Sequence, residues 1–267
     1  MFGAGKRWAR GLGAVAAGLV LVGVAACGGD GQGADDGKGG KASGEASGNP
    51  AEGPSVTAST SAAGPAPLTV DRLTAASLTD GERIGPYTAS EYALGAPLGD
   101  DYTADPAVCQ PLVSLAKGAT AFDPVAEVQR KADIPDEMLG LTVSVQLRSY
   151  TAPDATGVMK ALATAGRECA GGFTEDRALA RATYLKVEPA TAPDVGDEAK
   201  AYRFTILDVK GTLKLYEYLT VVRSGSTTLS FRAEITGRKD VGGVPDEIVQ
   251  AQWQKFRSVA GEAAEKP

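Results

Sequence analysis

The chain has 267 residues, enough for one large domain or one domain with a tail. Its 27 Lys and Arg are outnumbered by 33 Asp and Glu, for a net charge of −6 at pH 7, which argues against nucleic acid or an anionic bilayer surface as a partner. It contains no histidine, which excludes Ser-His-Asp and Cys-His catalysis, His-bearing zinc sites and the usual general base poised near neutral pH; no cofactor and no metal site is expected.

Lys6, Arg7 and Arg10 form a basic head with no acid before Asp30, and Leu12 to Val24 is an uncharged apolar run. Head, apolar middle and small-residue end are the three parts of an export signal. The run is shorter than the roughly 20 apolar residues of a membrane span. A buried apolar helix and a plain secretory signal are the alternatives. Val24-Ala25-Ala26-Cys27, followed by Gly28-Gly29, resembles the lipobox of bacterial lipoproteins: an aliphatic residue, two small residues and a cysteine. The resemblance implies cleavage before Cys27 and a thioether-linked diacylglycerol on it, with palmitate as a further acyl chain. Two or more acyl chains hold a protein stably at a membrane. Without the first 26 residues, 24 bases would face 33 acids.

Residues 28 to 66 are dominated by Gly, Ala, Ser, Asp, Pro and Lys, with no aromatic residue and Val56 as the one large aliphatic. Such a segment buries too little surface to offset its chain entropy, and it reads as a disordered tether spanning roughly 35 Å. Ser55 to Pro67 is rich in Ser, Thr, Ala and Pro, a composition open to O-glycosylation. The folded domain is expected from Leu68. Residues 68 to 104 have irregularly spaced apolar positions, which suggests one or two short strands and an extended loop.

Asp105-Pro106 reads as a helix start, with Val108, Leu112 and Leu115 on one face and Gly118 as its end; Pro111 is an alternative start. Val125 to Ala132 reads as a second short helix. Leu141 to Tyr150 alternates apolar and polar residues, as a half-buried strand does. Thr151 to Asp154 is a capping box. The helix behind it carries Val158, Leu162, Ala165 and Cys169 as one stripe and ends at Gly171-Gly172.

Cys109 and Cys169 remain beside Cys27. In an exported protein such a pair defaults to a disulfide, two independent buried thiols being the alternative. Closing about 60 residues, the bond would stabilise by about 4 kcal/mol in the chain-entropy model.

Four strands are expected at Arg181 to Val187, Ala199 to Leu207, Thr212 to Arg223 and Thr227 to Ile235. The last three form a meander through Asp208 to Gly211 and Ser224 to Ser226. Pro245-Asp246-Glu247 opens a final helix with Val249, Trp253, Phe256 and Ala260 on its apolar face. The fold class is α+β: an antiparallel sheet of about five or six strands with three or so packed helices. The expected divisions are a signal peptide at 1–26, a lipidated tether at 27–67, an extracellular domain at 68–262 and a tail at 263–267.

Three groups are candidates for chemistry. Ser114 and Lys117 match a Ser-x-x-Lys pattern, but the partner motifs are missing and the order Lys210-Gly211-Thr212 replaces Lys-Thr-Gly. Asp194, Asp197 and Glu198 place three carboxylates at a strand entrance, as a site for a cation or a basic ligand or as a solvated turn. Arg148 and Tyr150 on one strand, and Tyr216 and Tyr218 on another, would line a polar ligand groove if no helix covers them.

The early Cys109, the Ser-Tyr-Thr strand end, the helix ending at Cys169, Val195-Gly196-Asp197-Glu198-Ala199 and the C-terminal amphipathic helix form a layout. It resembles the Cys-paired extracellular lipoproteins of high-GC Gram-positive bacteria and the extracellular sensor domain of some of their membrane serine/threonine kinases. That resemblance implies a cleft for an unidentified ligand. Those domains generally carry a second disulfide, for which this chain has no cysteines. The expected function is a non-catalytic binding or sensing module, held to the cell membrane through Cys27 on its extracytoplasmic side, with an unknown small ligand or envelope protein as partner. An interaction module with a flat apolar surface and a carboxylate- or Ser-Lys-based hydrolase are the alternatives.

Overall fold

The structure is a computed structural model that describes residues 65–92, 102–113, 121–137, 140–177, 180–208, 210–235 and 240–264. These residues belong to one compact unit, Ala58–Pro267. The lipobox and most of the tether lie outside the described residues, as do Ser114 and Lys117.

The unit is built on one antiparallel sheet. Its strands are β1 (Arg83–Ile84), β2 (Tyr87–Ser90), β3 (Thr103–Asp105), β4 (Ala126–Asp133), β5 (Leu141–Ser149), β6 (Phe173–Arg177), β7 (Ala180–Pro189), β8 (Glu198–Leu207), β9 (Lys214–Ser224) and β10 (Thr227–Ile235). They run in the order β1-β2-β4-β5-β10-β9-β8-β7-β6-β3. Three α-helices, α1 (Val70–Ala76), α2 (Ala152–Glu168) and α3 (Asp246–Ala264), and a 3-10 helix at Ala107–Val113 pack on it. The expected meander is β8-β9-β10, its first turn held by Asp208, whose carboxylate accepts from the Thr212 and Leu213 N–H groups at 2.7 and 2.9 Å.

The helices divide by face. Paired residues in neighbouring strands share a face. Val143, Val145, Leu147, Leu229, Phe231, Tyr218 and Val222 meet Leu73 and Ala76 of α1 and Ile248, Val249 and Phe256 of α3 in one core. On the other face Tyr184, Val187, Tyr202, Phe204, Leu219 and Val221 meet Met159, Leu162 and Ala165 of α2 and Cys109, Leu112 and Val113 of the 3-10 helix. The result is three layers, helices over both sides of a continuous sheet.

Local chemistry explains each helix. The Thr69 side chain accepts from the Arg72 N–H to cap α1. Thr151 does the same for α2 through the Asp154 N–H. The stripe read along α3 packs inward, with Val249 and Phe256 buried and Trp253 and Ala260 partly so. Gln252, fully buried in the same helix, ties it to α1: its amide donates to the Ala76 carbonyl at 2.7 Å and accepts from the Leu78 N–H at 3.1 Å. The Cys109–Cys169 disulfide is formed, with 5.9 Å between Cα atoms, and joins the 3-10 helix to the end of α2.

Four expectations change. The sheet has ten strands, more than five or six. Val125 to Ala132 is not a helix but β4, with every second residue buried from Ala126 to Ala132. Its inward residues include Arg130, whose Nε donates to the Leu78 carbonyl at 3.0 Å and which pairs with Glu91 at 3.2 Å. A charged residue facing inward hides the alternation, and Ala, Glu, Gln, Arg and Lys are good helix formers. The 68–104 stretch begins with a helix, α1, before its strands. Asp105, expected as a helix cap, ends β3 instead.

Candidate functional site

α3 covers the β5–β10 side of its face and leaves the next two strands open. β8 and β9 pair there as Ala201 with Thr220 and Arg203 with Tyr218. Ala201 and Thr220 are small, so the sheet surface dips beside the helix. The segment Ala190–Asp194, leaving β7, forms one wall; Val244, Pro245, Asp246, Val249 and Gln250, at the entry to α3, form another. Tyr87, Ile134 and Glu137 complete the rim of an open cleft of about 1070 Å³. That is the scale of a small-molecule site.

Two hydroxyls in this cleft have no protein partner among the described residues. Thr220 is only 5% exposed, stands in a central strand and lines the cleft. Tyr87 is 9% exposed and lines it as well. Burial pushes the Tyr87 phenol up from its ordinary value, and the Glu247 and Glu137 carboxylates push it further. Both side chains are mostly buried, but their oxygens open onto the cleft, so these two are available to a ligand or to water.

The floor next to them is closed by an ion cluster. Tyr218 donates to Asp240 Oδ1. Arg203 donates to Asp240 Oδ2 at 2.6 Å and to Glu188 at 3.1 Å, with its guanidinium 4.2 Å above the Tyr216 ring. Burial and then the bond to Asp240 hold the Tyr218 phenol above its ordinary value. Burial pulls the Asp240 carboxyl up, but Tyr218 and Arg203 outweigh it and the group lies below its ordinary value.

The four groove residues named from the sequence do not share a groove. Tyr216 and Tyr218 lie on the α3 face, where Tyr218 lines the cleft. Arg148 and Tyr150 lie on the opposite face and are buried beneath α2. Arg148 pairs there with Glu127 at 2.5 Å, and Tyr150 packs on Ala155 and Val158. Gln146, two residues before Arg148 in β5, is also buried and has neither amide atom paired. The void next to Arg148 is about 10 Å³, room for about one water.

The acidic run also separates. Asp194 lines the cleft. Asp197 turns away to Arg223 at 2.9 Å and to the Gly225 N–H at 2.7 Å. Glu198 pairs with Lys200 at 3.0 Å. Gly196 makes the turn with φ +75, and a Cβ there would meet the Arg223 carbonyl oxygen at 2.6 Å. The reading by sequence missed Thr220, Tyr87, Glu137 and Asp246. Thr220 had a signal: it sits two and four residues from Tyr218 and Tyr216, hence on their face. Tyr87, Glu137 and Asp246 had none, because the fold brings them together from distant segments.

Fold and site define a three-layer domain on a single antiparallel sheet, with a ligand-sized cleft beside its last helix. No protein-family model and no curated protein matches the chain. Among solved structures it is similar to the extracellular domain of PknH from Mycobacterium tuberculosis, at 15% identity and a TM-score of 0.49, over 73% of this chain and 98% of that one. It is also similar to an uncharacterized protein of Mycobacterium smegmatis, at 15% identity and a TM-score of 0.33, over 66% of this chain and 85% of that one.

Proposed function

We propose that the chain is an exported lipoprotein, anchored through a diacylglycerol on Cys27, whose folded domain binds a small ligand in the cleft on the outer side of the cytoplasmic membrane. The observation that carries the binding part is the cleft itself: about 1070 Å³, with the unpartnered hydroxyls of Thr220 and Tyr87 opening onto it. The anchor rests on the lipobox pattern of the sequence. No helix among the described residues is long and apolar enough to cross a membrane.

Two rival readings have less support. A flat docking module needs one large exposed apolar patch. The exposed large apolar residues Val70, Val108, Val125, Leu185 and Val241 lie singly on separate segments. Of the trio that the sequence suggests for a carboxylate hydrolase, Asp194, Asp197 and Glu198, only Asp194 lines the cleft.

Two experiments test the two parts. Mass spectrometry of small molecules co-purifying with the full chain should find a species that a cleft-filling Thr220→Phe protein lacks. Identical species on both proteins would contradict binding in the cleft. Metabolic lipid labelling should disappear in Cys27→Ala, and unchanged labelling would remove the anchor.

A further inference from the structure

We infer that the cleft selects an organic cation, a ligand carrying an ammonium group on an apolar body; this rests on the cleft being the ligand site. Glu137, Asp194 and Asp246 line it, and no Lys or Arg does among the described residues. The bases closest in the fold are engaged elsewhere. Arg203 is held by Asp240 and Glu188, Arg223 by Asp197, and Lys200 by Glu198. Glu137, Asp194 and Asp246 have no ion-pair partner among the described residues.

The positive end of α3 points into the same cleft, and it would ordinarily favour an anion. Asp246 and Glu247 occupy its first turn and compensate that end from within the helix. An anionic ligand would therefore meet the uncompensated carboxylates of Glu137 and Asp194, and a neutral one would gain nothing from them. A cleft lined by one sign of charge focuses its field on the ligand.

The hydroxyls that open onto the cleft are a second, independent indication that a ligand sits there, while the carboxylates set its charge. Thr220 and Tyr87 each offer lone pairs to an N–H donor, and neither is spent on the protein. Ile134, Leu141, Val244 and Val249 supply apolar wall. Among the described residues no three carboxylates converge as metal ligands do, so the geometry favours an ammonium with an apolar body over a bare metal ion. The carboxylates are exposed, and each alone is worth little; the selectivity is a sum over the rim, and it weakens with salt.

Isothermal titration of the full chain in non-ionic detergent at low salt tests this with three matched probes: phenethylamine, 2-phenylethanol and phenylacetate. Phenethylamine should bind about 10-fold tighter than the alcohol, and phenylacetate weakest of the three. The double variant Glu137→Gln with Asp194→Asn should bring the affinity for the amine close to that for the alcohol. Both substitutions are at exposed positions, so the fold should be retained. If the alcohol or phenylacetate binds as tightly as the amine, or the double variant keeps the full preference, the charge inference is overturned and the cleft reading stands. If none of the three binds, both fall.

Discussion

The two faces of the sheet differ in how open they are. Under α2, Arg232 is 1% exposed and its terminal guanidinium nitrogens are bonded. It donates to Tyr184 Oη and Glu217 Oε2, both at 2.5 Å, and to the Leu112 carbonyl at 3.3 Å. Tyr184 in turn donates to Glu175 at 2.6 Å. The Cys109–Cys169 bond closes this side. Beside α3, Thr220 is nearly as buried and bonds to nothing in the protein. Pairing alone does not separate the faces, because Gln146 under α2 has neither amide atom paired; Thr220 differs in having an open cleft in front of it. The difference also explains why the four groove residues named from the sequence separate: Arg148 and Tyr150 fall on the closed face.

The largest effect should come from the closed face. Arg232→Ala would leave the Glu217 and Glu175 carboxylates buried without their cation, at about 3–5 kcal/mol. Urea unfolding should report it as a lowered midpoint, and Arg232→Met should recover part through packing. Replacing both Cys109 and Cys169 with Ser should cost about 4 kcal/mol by the loop-entropy account, read in the same assay. A loss under 1 kcal/mol in either would mean that the closed face is not the stable half.

The matched pair Tyr184→Phe and Thr220→Val sharpens the contrast. Tyr184→Phe removes a hydroxyl that bonds Arg232 and Glu175 and should cost about 1–3 kcal/mol. Thr220→Val removes a hydroxyl without a partner and should change stability by less than about 0.5 kcal/mol. Equal losses would erase the distinction between the faces.

The smallest effects are those of pH. At Glu82, burial raises the carboxyl, but Lys255 and the Thr79 N–H outweigh it, and the pKa lies below its ordinary value. Asp240 lies below 3.8. A depressed carboxyl contributes stability that is present above its unfolded value and lost as pH falls through the folded one. Melting temperature should therefore decline below about pH 4.5. At the other end, burial pushes Tyr92 up to about 12. A raised phenol contributes stability present below its unfolded pKa of 10 and lost as pH climbs toward 12. Tyr92→Phe should flatten that alkaline decline.

Much of the fold was legible where packing agrees with local pattern. β5 and β10 alternate apolar and polar residues in sequence, β8 and β9 are apolar-rich runs bounded by turn residues, and α2 and α3 carry caps or acids where their first turns need them. The disulfide followed from cysteine number and the export reading. The pattern was hidden where a polar residue faces inward, as Arg130 does in β4 and Glu175 in β6. α1 was hidden because its apolar face is only Leu73 and Ala76. The cleft was hardest to read. Its floor comes from β8 and β9, its walls from the exit of β7 and the entry to α3, and no single stretch of sequence carries that arrangement. One carboxylate of its rim, Asp194, was singled out in advance, within a trio that the fold disperses.

Thr220 and Ser230 are both 5% exposed, but Thr220 faces the cleft and Ser230 lies beneath α2. Alkylation of Thr220→Cys and Ser230→Cys by iodoacetamide, measured above the wild-type background, therefore tests the central claim directly. Thr220→Cys should react in the native state, and phenethylamine should slow it. Ser230→Cys should react only after unfolding. Equal protection of the two thiols, or faster reaction at Ser230→Cys, would contradict an open ligand cleft on the α3 face.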